Sequence, residues 1–282
     1  MANYLDPKYD LTFKRVFGEH KHLCKSLLNS MLPLEKPIVD IEYQTGELIP
    51  ELVDVLRHTI VDVRCTDSDD RQFIVEMQLY WTESFKSRVL LNASKAYVKQ
   101  LDKADRISLL RPVYALNFVN ETFETSEKLK DVFFHHYKIV NIRDTEEQIK
   151  GLEFFFVELP KFTTLNRAEK KLRDLWLRFL TEINENTTEV SRELLDNKEI
   201  CEAVGYMERA AYTKEQLLTY DRWKIDILTE RGMIDDALKK GEEKKAIFIA
   251  KNMLRKGMSI EDASEMTGLS IEQIRELKAQ IE

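Results

Sequence analysis

Two carboxylates and an amide interrupt the apolar pattern of the stretch IVDVRCTDSDDRQFIVEMQLY, residues 60–80. The stretch is typical of two β-strands joined by an acidic turn, because apolar residues alternate with others on both sides of TDSDD. Asp62 lies between two valines, and Glu76 and Gln78 alternate with apolar neighbours. Successive side chains of a strand point to opposite faces. If the apolar faces of the two strands coincide, Asp62, Glu76 and Gln78 converge on one spot.

A divalent metal ion would account for this convergence. A buried carboxylate is costly unless it is paired or bound to a metal, and two carboxylates side by side repel each other. Asp62 and Glu76 would supply carboxylate oxygens, and Met77 would supply its backbone carbonyl. Such oxygen ligands, together with water, favour Mg²⁺ or Mn²⁺ over zinc.

A structural explanation of the same residues remains open at this stage. Asp62 can pair with Arg64 or Arg88, and Glu76 can be a solvated charge on an edge strand. Charged residues on half-exposed strands are common, so each residue by itself favours this explanation.

Composition describes a well-folded globular protein of 282 residues, 43% hydrophobic and 33% charged. The three cysteines follow no metal-binding spacing and are odd in number, which predicts a reducing, cytoplasmic setting without disulfides. We expect neither a secretion signal nor a membrane partner, since no run approaches the ~18 apolar residues of a spanning helix. The formal charge of −7 disfavours coating of nucleic acid by bulk attraction, although a local basic patch can still bind it.

The order of predicted elements indicates an α/β core followed by helices. Residues 6–33 predict two helices separated near Gly18, and residues 38–43 an edge strand. After the hairpin, a helix is predicted from Thr82 to Leu109, capped by Thr82 or Ser84. Two further strands, near residues 113–119 and 154–159, have continuous apolar runs that suit a sheet covered on both faces.

Beyond Pro160 only helices are predicted. We divide the chain into an α/β core at residues 1–160, a helical extension packed on the core at 161–234, and a helical tail at 235–282. One of these helices is expected to end near Gly232, with a long basic helix following from Asp235.

The order and spacing of the motifs resemble the PD-(D/E)xK nuclease superfamily. FKRVF near the N-terminus, IVDV, VEMQ and the helix SRVLLNASKAY are similar to the Rpn-type branch, the recombination-promoting nucleases also described as PD-(D/E)xK family transposases. The resemblance implies a restriction-endonuclease-like mixed sheet flanked by helices, and hydrolysis of DNA phosphodiester bonds with Mg²⁺ or Mn²⁺.

Carried over to this sequence, the resemblance makes Asp62 and Glu76 metal ligands and places Gln78 where the superfamily has a lysine. Gln can hydrogen-bond water or phosphate but brings no positive charge. Lys95, Arg88 or Lys14 can supply that charge. The superfamily's helical carboxylate best matches Asp10, with Glu47 and Glu51 as alternatives.

A basic stripe follows the hairpin. Residues 86–111 contain seven cationic and two anionic side chains, and several of the cations recur at helical spacing. Such a stripe can be a track for DNA phosphates or simply a solvated helix face. The candidate nucleic-acid-binding residues are Lys14, Arg88, Lys95, Lys99, Lys103 and Arg106.

The tail is helix-turn-helix-like. Ser259 with Asp262, and Ser270 with Gln273, are spaced as helix-capping pairs around a TGLS turn. Residues 259–282 carry six acidic and two basic side chains, which disfavours direct reading of DNA. Residues 244–256 carry five cations and no acids, and can touch a DNA backbone. The charge favours an appendage for homodimerisation or for docking a partner.

Three hypotheses follow for the function. The first is a Mg²⁺-dependent DNA endonuclease linked to recombination, mobile elements or defence against foreign DNA. The second is a catalytically inactive module of the same fold that binds nucleic acid or a protein partner. A purely structural scaffold is disfavoured, because it leaves the alternation in VEMQ unexplained.

Overall fold

The computed structural model describes residues 4–44, 62–102, 107, 110–163 and 171–281. These residues divide into two compact units, Met1–Leu217 and Leu218–Glu282. The helices of the first unit are α1 (Asp10–Phe13), α2 (Lys21–Met31), α3 (Phe85–Lys99), α4 (Lys171–Glu182), α5 (Arg192–Leu195) and α6 (Lys198–Met207). Its strands are β1 (Ile41–Tyr43), β2 (Val63–Asp67), β3 (Gln72–Gln78), β4 (Val113–Val119), β5 (Phe134–Asn141) and β6 (Asp144–Glu158).

In the described part of the chain, the strands form one six-stranded mixed sheet in the order β1-β2-β3-β4-β6-β5. β3, β4 and β6 run parallel, and the remaining neighbours are antiparallel. The predicted α/β class with a mixed sheet and flanking helices is therefore confirmed. β1 lies at an edge, as residues 38–43 predicted.

Both faces of the sheet are covered. On one face, α2, α4 and α6 pack against Phe73, Val75, Leu116 and Phe155 in the larger apolar core. On the other face, α3 packs Phe85, Val89, Ala93 and Ala96 against the sheet, including Ile74. The alternation of β3 decides this division, because Ile74 and Val75 point to opposite faces.

The acidic turn between β2 and β3 is closed by Asp67. Its Oδ1 accepts the backbone N–H groups of Asp69 and Arg71, and Oδ2 accepts from Arg71 Nε at 2.7 Å. Asp70 takes a positive φ of 59°, which Asp tolerates better than most residues. The turn thereby holds the two strands in register.

Two helix predictions need correction. α3 ends at Lys99 and is followed by a 3₁₀ turn at Gln100–Asp102, so the α-helix ends earlier than predicted; the predicted end, Leu109, lies outside the described residues. Ser84 occupies the N-cap position of α3 without a capping hydrogen bond from its side chain. Just after α3, the side chain of Gln100 donates to the backbone carbonyl of Arg111 and accepts from its N–H, two residues before β4 begins.

The strand β5 and the first half of β6 were not predicted. Most side chains of β5 are exposed, and residues 144–150 of β6 are exposed as well. A hairpin that projects from the core shows no apolar alternation, so the pattern on which strand prediction depends is missing.

The second unit contains α7 (Lys214–Arg255) from Leu218 onward, α8 (Ile260–Thr267) and α9 (Ile271–Ala279). Ala250, Met253, Ala263, Leu269 and Ile274 form its core. Both predicted capping pairs are confirmed, and Ser270 with Gln273 makes a reciprocal capping box. The predicted break near Gly232 is wrong, since α7 passes through that residue without interruption. Every helix in the described ranges is too short or too polar to span a bilayer.

Candidate active site

The hairpin β2–β3 brings the predicted carboxylates to one face of the sheet. Val63 lies opposite Val75, so the next position, Asp62, lies opposite Glu76. Side chains opposite each other in an antiparallel pair share a face. This is the face covered by α3. Glu76 is buried within an inner strand, so the alternative of a solvated edge-strand charge is wrong.

Asp62 is held by the backbone of the neighbouring strand. Its Oδ2 accepts the N–H of Met77 at 2.6 Å. Burial raises the pKa of Asp62 to about 8, the Met77 N–H lowers it, and the charges of Asp10 and Glu76 raise it further. The carboxyl group is therefore short of positive partners.

The backbone carbonyl of Met77 faces the same edge of β3 as its N–H. The next carbonyl, that of Gln78, accepts from Asn120 N at 2.8 Å, on the β4 side. Since successive backbone groups of a strand point to opposite edges, the Met77 carbonyl points to the Asp62 side. All three predicted metal-ligating groups thus lie around the end of the β2–β3 ladder.

Glu76 has one polar partner from α3. Asn92 Nδ2 donates to Glu76 Oε1 at 3.1 Å, and both residues are buried. Burial raises the pKa of Glu76, while the Asn92 hydrogen bond and the charge of Arg88 lower it. Glu76 is buried and Asp62 half-buried, and in both carboxyl groups burial disfavours the ionised form.

Gln78 is hydrogen-bonded to α3, the helix that also contacts Glu76. Arg88 Nη2 donates to Gln78 Oε1 at 2.6 Å. Four residues along a helix advance about 6 Å, and two residues along a strand advance about 6.6 Å. The pair Arg88–Asn92 on α3 therefore matches the pair Gln78–Glu76 on β3 in spacing.

The N-terminal helix brings a further acid and a cation. Asp10 is the first residue of α1, and Lys14 begins the π-helical turn Lys14–Gly18 that follows. Lys14 Nζ lies 2.6 Å from Asp10 Oδ1. Both charges act on Asp62, where Asp10 raises its pKa and Lys14 lowers it. The structure thus places the predicted helical carboxylate close enough to Asp62 for its charge to act on that residue.

The remaining candidates lie further along α3 or outside the described residues. Lys95 is partly buried and Lys99 exposed, on the turns of α3 beyond Asn92. Lys103, Arg106, Glu47 and Glu51 lie outside the described residues. The phosphate track stays a prediction.

Sequence reasoning missed two side-chain contacts, one at the site and one in the core on the other face of the sheet. The first is the contact made by Asn92, a residue that was not singled out from the sequence. The four-residue spacing of Arg88 and Asn92 on the helix is close in length to the two-residue spacing of Glu76 and Gln78 on the strand, and this could have indicated the two contacts. The second is the contact of the buried thiols of Cys24 and Cys65, which belong to α2 and β2 and hydrogen-bond each other. Pairing of Asp62 with an arginine was the other structural alternative. Instead, Arg64 Nη2 bonds Gln72 Oε1 at 2.9 Å, and Arg88 bonds Gln78.

The donor set fits a magnesium-like ion. Among the residues that the structure describes, no three acidic, histidine or cysteine side chains are arranged as a metal cluster. The available ligands are the carboxylates of Asp62 and Glu76 and the carbonyl of Met77. Mg²⁺ is usually held by one or two carboxylates with water and substrate phosphates, so this small set suits it better than a closed structural site.

Comparison with known families decides the assignment. A family profile described as PD-(D/E)XK nuclease family transposase matches residues 7–237. The chain belongs to this family. The match spans both the hairpin site and the helices α1 to α6, so it confirms the resemblance that the motifs indicated.

A second profile, described as the C-terminal HTH domain of the Rpn/YhgA-like nuclease family, matches residues 243–279. It covers the last turns of α7 together with α8 and α9, where the sequence predicted a helix-turn-helix-like tail. No curated protein and no solved structure matches the chain significantly.

Proposed function

We propose that this family member is a metal-dependent DNA endonuclease whose site is built from Asp62, Glu76, Gln78 and Asp10. The observation that carries the proposal is the placement of the half-buried Asp62, the buried Glu76 and the Met77 carbonyl at one end of the hairpin. Burying such groups together is unfavourable without a cation, and their raised pKa values express that cost.

The reaction would be hydrolysis of a phosphodiester. A water oxygen forms a bond to phosphorus, the bond from phosphorus to one ester oxygen breaks, and that oxygen leaves with a proton. A divalent ion bound by Asp62, Glu76 and the Met77 carbonyl would supply activation of the water and charge stabilisation at the phosphate. Asp62 and Glu76 would bind it in their ionised forms, with Met77 N–H fixing Asp62 and Asn92 fixing Glu76.

We expect DNA to contact basic residues of α3 and the helical tail. Lys95 and Lys99 continue the face that carries Arg88 and Asn92, at spacings of three and four residues. The helix-turn-helix match supports DNA as the partner. A link to recombination, mobile elements or defence is part of the proposal. Homodimerisation through the helical tail also stays a prediction.

Nicking of a supercoiled plasmid tests the proposal. We expect nicking that requires Mg²⁺ or Mn²⁺ and falls roughly 10²-fold or more in Asp62→Asn and in Glu76→Gln. These isosteric changes keep side-chain volume and remove the ionised oxygen. Glu127→Gln is the matched control, because Glu127 is exposed and pairs only locally with Lys130. Nicking that persists in EDTA, or in both site variants, would contradict the proposal.

A second candidate function is a non-catalytic module that binds DNA. Gln78 in place of the superfamily's lysine is the observation that favours it. This function predicts retardation of DNA without cleavage, and loss of binding when Lys95 and Lys99 are changed to Glu. Binding of Mn²⁺ distinguishes the two, since a metal site should raise the melting temperature of the wild type but not of Asp62→Asn.

A further inference from the structure

The position that holds a lysine elsewhere in the superfamily is held here by a pair of side chains. Gln78 Oε1 accepts from Arg88 Nη2 at 2.6 Å. A lysine at position 78 would place an ammonium beside this guanidinium and repel it, whereas the Gln carbonyl attracts it. Gln at this position is therefore chemically matched to an arginine on α3.

Arg88 is also close to the acidic centre of the site. Its charge lowers the pKa of the Glu76 carboxyl. The same carboxyl accepts a hydrogen bond from Asn92, which lies one helical turn after Arg88 on α3. The guanidinium carbon lies 4.9 Å from the centroid of the Phe85 ring, which supports its flat face. The aromatic ring and Gln78 together fix where the charge sits.

Arg88 has hydrogen-bonding capacity to spare. A guanidinium carries five N–H donors in a planar fork that suits phosphate. In the described part of the chain, the buried Nε–H of Arg88 meets no hydrogen-bond acceptor. This unsatisfied donor belongs to a cation whose charge acts on Glu76, so it is suited to an anionic substrate bound at the site.

The other candidate cations are placed less favourably. Lys14 is already paired with Asp10 at 2.6 Å. Lys95 lies seven residues beyond Arg88, about 10 Å further along the axis of α3, in the direction away from Gln78. Arg88 alone among the three contacts the motif position itself.

We infer that Arg88, oriented by Gln78, binds a non-bridging oxygen of the scissile phosphodiester and supplies the positive charge that the motif lysine supplies in related enzymes. This inference rests on the proposed nuclease function. Arg88 would be the residue that contacts the substrate, and Gln78 the positioning residue.

A charge-relocation experiment tests this assignment in the full-length chain. We compare Arg88→Ala, Gln78→Lys and the double variant Arg88→Ala/Gln78→Lys in the plasmid assay with Mg²⁺. We expect Arg88→Ala to lower the nicking rate roughly 10²-fold. The double variant should recover about tenfold or more, because the lysine restores a cation at the motif position. Gln78→Lys alone should give no gain, because two cations then crowd one site.

DNA binding provides a readout that does not depend on cleavage. Binding of a labelled duplex is measured without metal at several salt concentrations. Losing one phosphate contact should weaken binding and reduce the slope of log K against log salt by about one. Arg192→Ala is the matched control, because Arg192 is a fully exposed arginine of the same unit.

The outcomes separate the two proposals. A wild type that does not nick overturns the nuclease function, while the binding slope still tests Arg88. A wild type that nicks, with Arg88→Ala equally active or with a double variant no better than Arg88→Ala, overturns the role of Arg88. Arg88→Met, which keeps the aliphatic stem over Phe85, replaces Arg88→Ala if the latter unfolds on heating before the control does.

Discussion

At the scale of single residues, the site holds two carboxyl groups in surroundings that disfavour their ionised forms. Asp62 and Glu76 are carboxyl groups taken out of water, and each has one amide donor for its ionised form. A hydrogen bond to a carboxylate offsets part of the cost of desolvation but not all of it. Such residues destabilise the metal-free fold, so their presence is better explained by binding than by stability.

This cost makes the stability of the metal-free protein depend on pH. The pKa of Asp62 is raised from its ordinary 3.8 to about 8 in the folded state, mainly by burial. Between these values the folded state binds more protons than the unfolded state, so stability falls as pH rises from about 4 to about 8. Asp62→Asn removes this contribution and should stabilise the protein by about 1–3 kcal/mol at pH 9, with almost no gain at pH 4.

Urea unfolding in EDTA at pH 4, 6.5 and 9 measures the difference between wild type and Asp62→Asn. Asp131→Asn, an exposed change in the same unit, gives the effect of removing a carboxylate that remains in water. Equal effects of Asp62→Asn at all three pH values would show that Asp62 ionises normally in the folded protein.

At the scale of elements, two glycines in helical sequence patterns have different positions: Gly232 lies inside a helix, and Gly268 ends one. Gly232 lies inside α7, where a Cβ would meet open space, and the helix continues through it. Gly268 ends α8 with a φ of +70°, a left-handed conformation that favours glycine. Both are single glycines in helical patterns, and only the backbone angle distinguishes their roles.

The two glycines should therefore respond oppositely to alanine. Gly232→Ala should stabilise α7 by about 0.5–1 kcal/mol, because alanine restricts the unfolded chain more and has higher helix propensity. Gly268→Ala should destabilise the tail by about 1–2 kcal/mol, because a side chain is strained in the left-handed region. Thermal unfolding followed by circular dichroism measures both, and each variant serves as the other's control. A destabilising Gly232→Ala would mean that α7 bends there.

At the scale of the whole molecule, an acidic chain concentrates its cations on particular surfaces. The net charge is −7, yet residues 244–256, the last turns of α7 and the residue after it, carry five cations and no acids. Lys244, Lys245, Arg255 and Lys256 are exposed there. α9, the second helix of the helix-turn-helix pair, carries Glu272 and Glu276 against Arg275 and Lys278. Attraction to DNA phosphates should therefore come from α7 more than from α9.

Charge reversal distinguishes these two helices. Lys244→Glu/Lys245→Glu should weaken DNA binding roughly tenfold or more at physiological salt, since each phosphate contact adds to the salt-dependent term. Arg275→Glu/Lys278→Glu has the same change in charge and should weaken binding less. Anisotropy of a labelled duplex with the full-length chain measures both. A larger loss in the α9 variant would identify α9 as the helix that contacts DNA.

The amino-acid sequence alone was sufficient for the hairpin, the division of β3 into two faces and the family. The first two depend on residues two to four apart, because a strand or helix period is visible in the chain itself, and the family depends on the order of short motifs along the chain. The same is true of Ser270 and Gln273, whose capping box needs only three residues of spacing. Where a segment leaves the core, as β5 does, the period disappears and the prediction fails with it.

Tertiary structure alone decided which side chains meet across elements. The contacts of Arg88 with Gln78, of Asn92 with Glu76 and of Cys24 with Cys65 join residues that are 10 to 41 positions apart. Such contacts depend on how a helix is placed against a sheet, and local periodicity carries no information about that placement. Burial is likewise a property of the packed molecule. It is burial that changes Asp62 and Glu76 from ordinary surface charges into carboxyl groups suited to hold a cation.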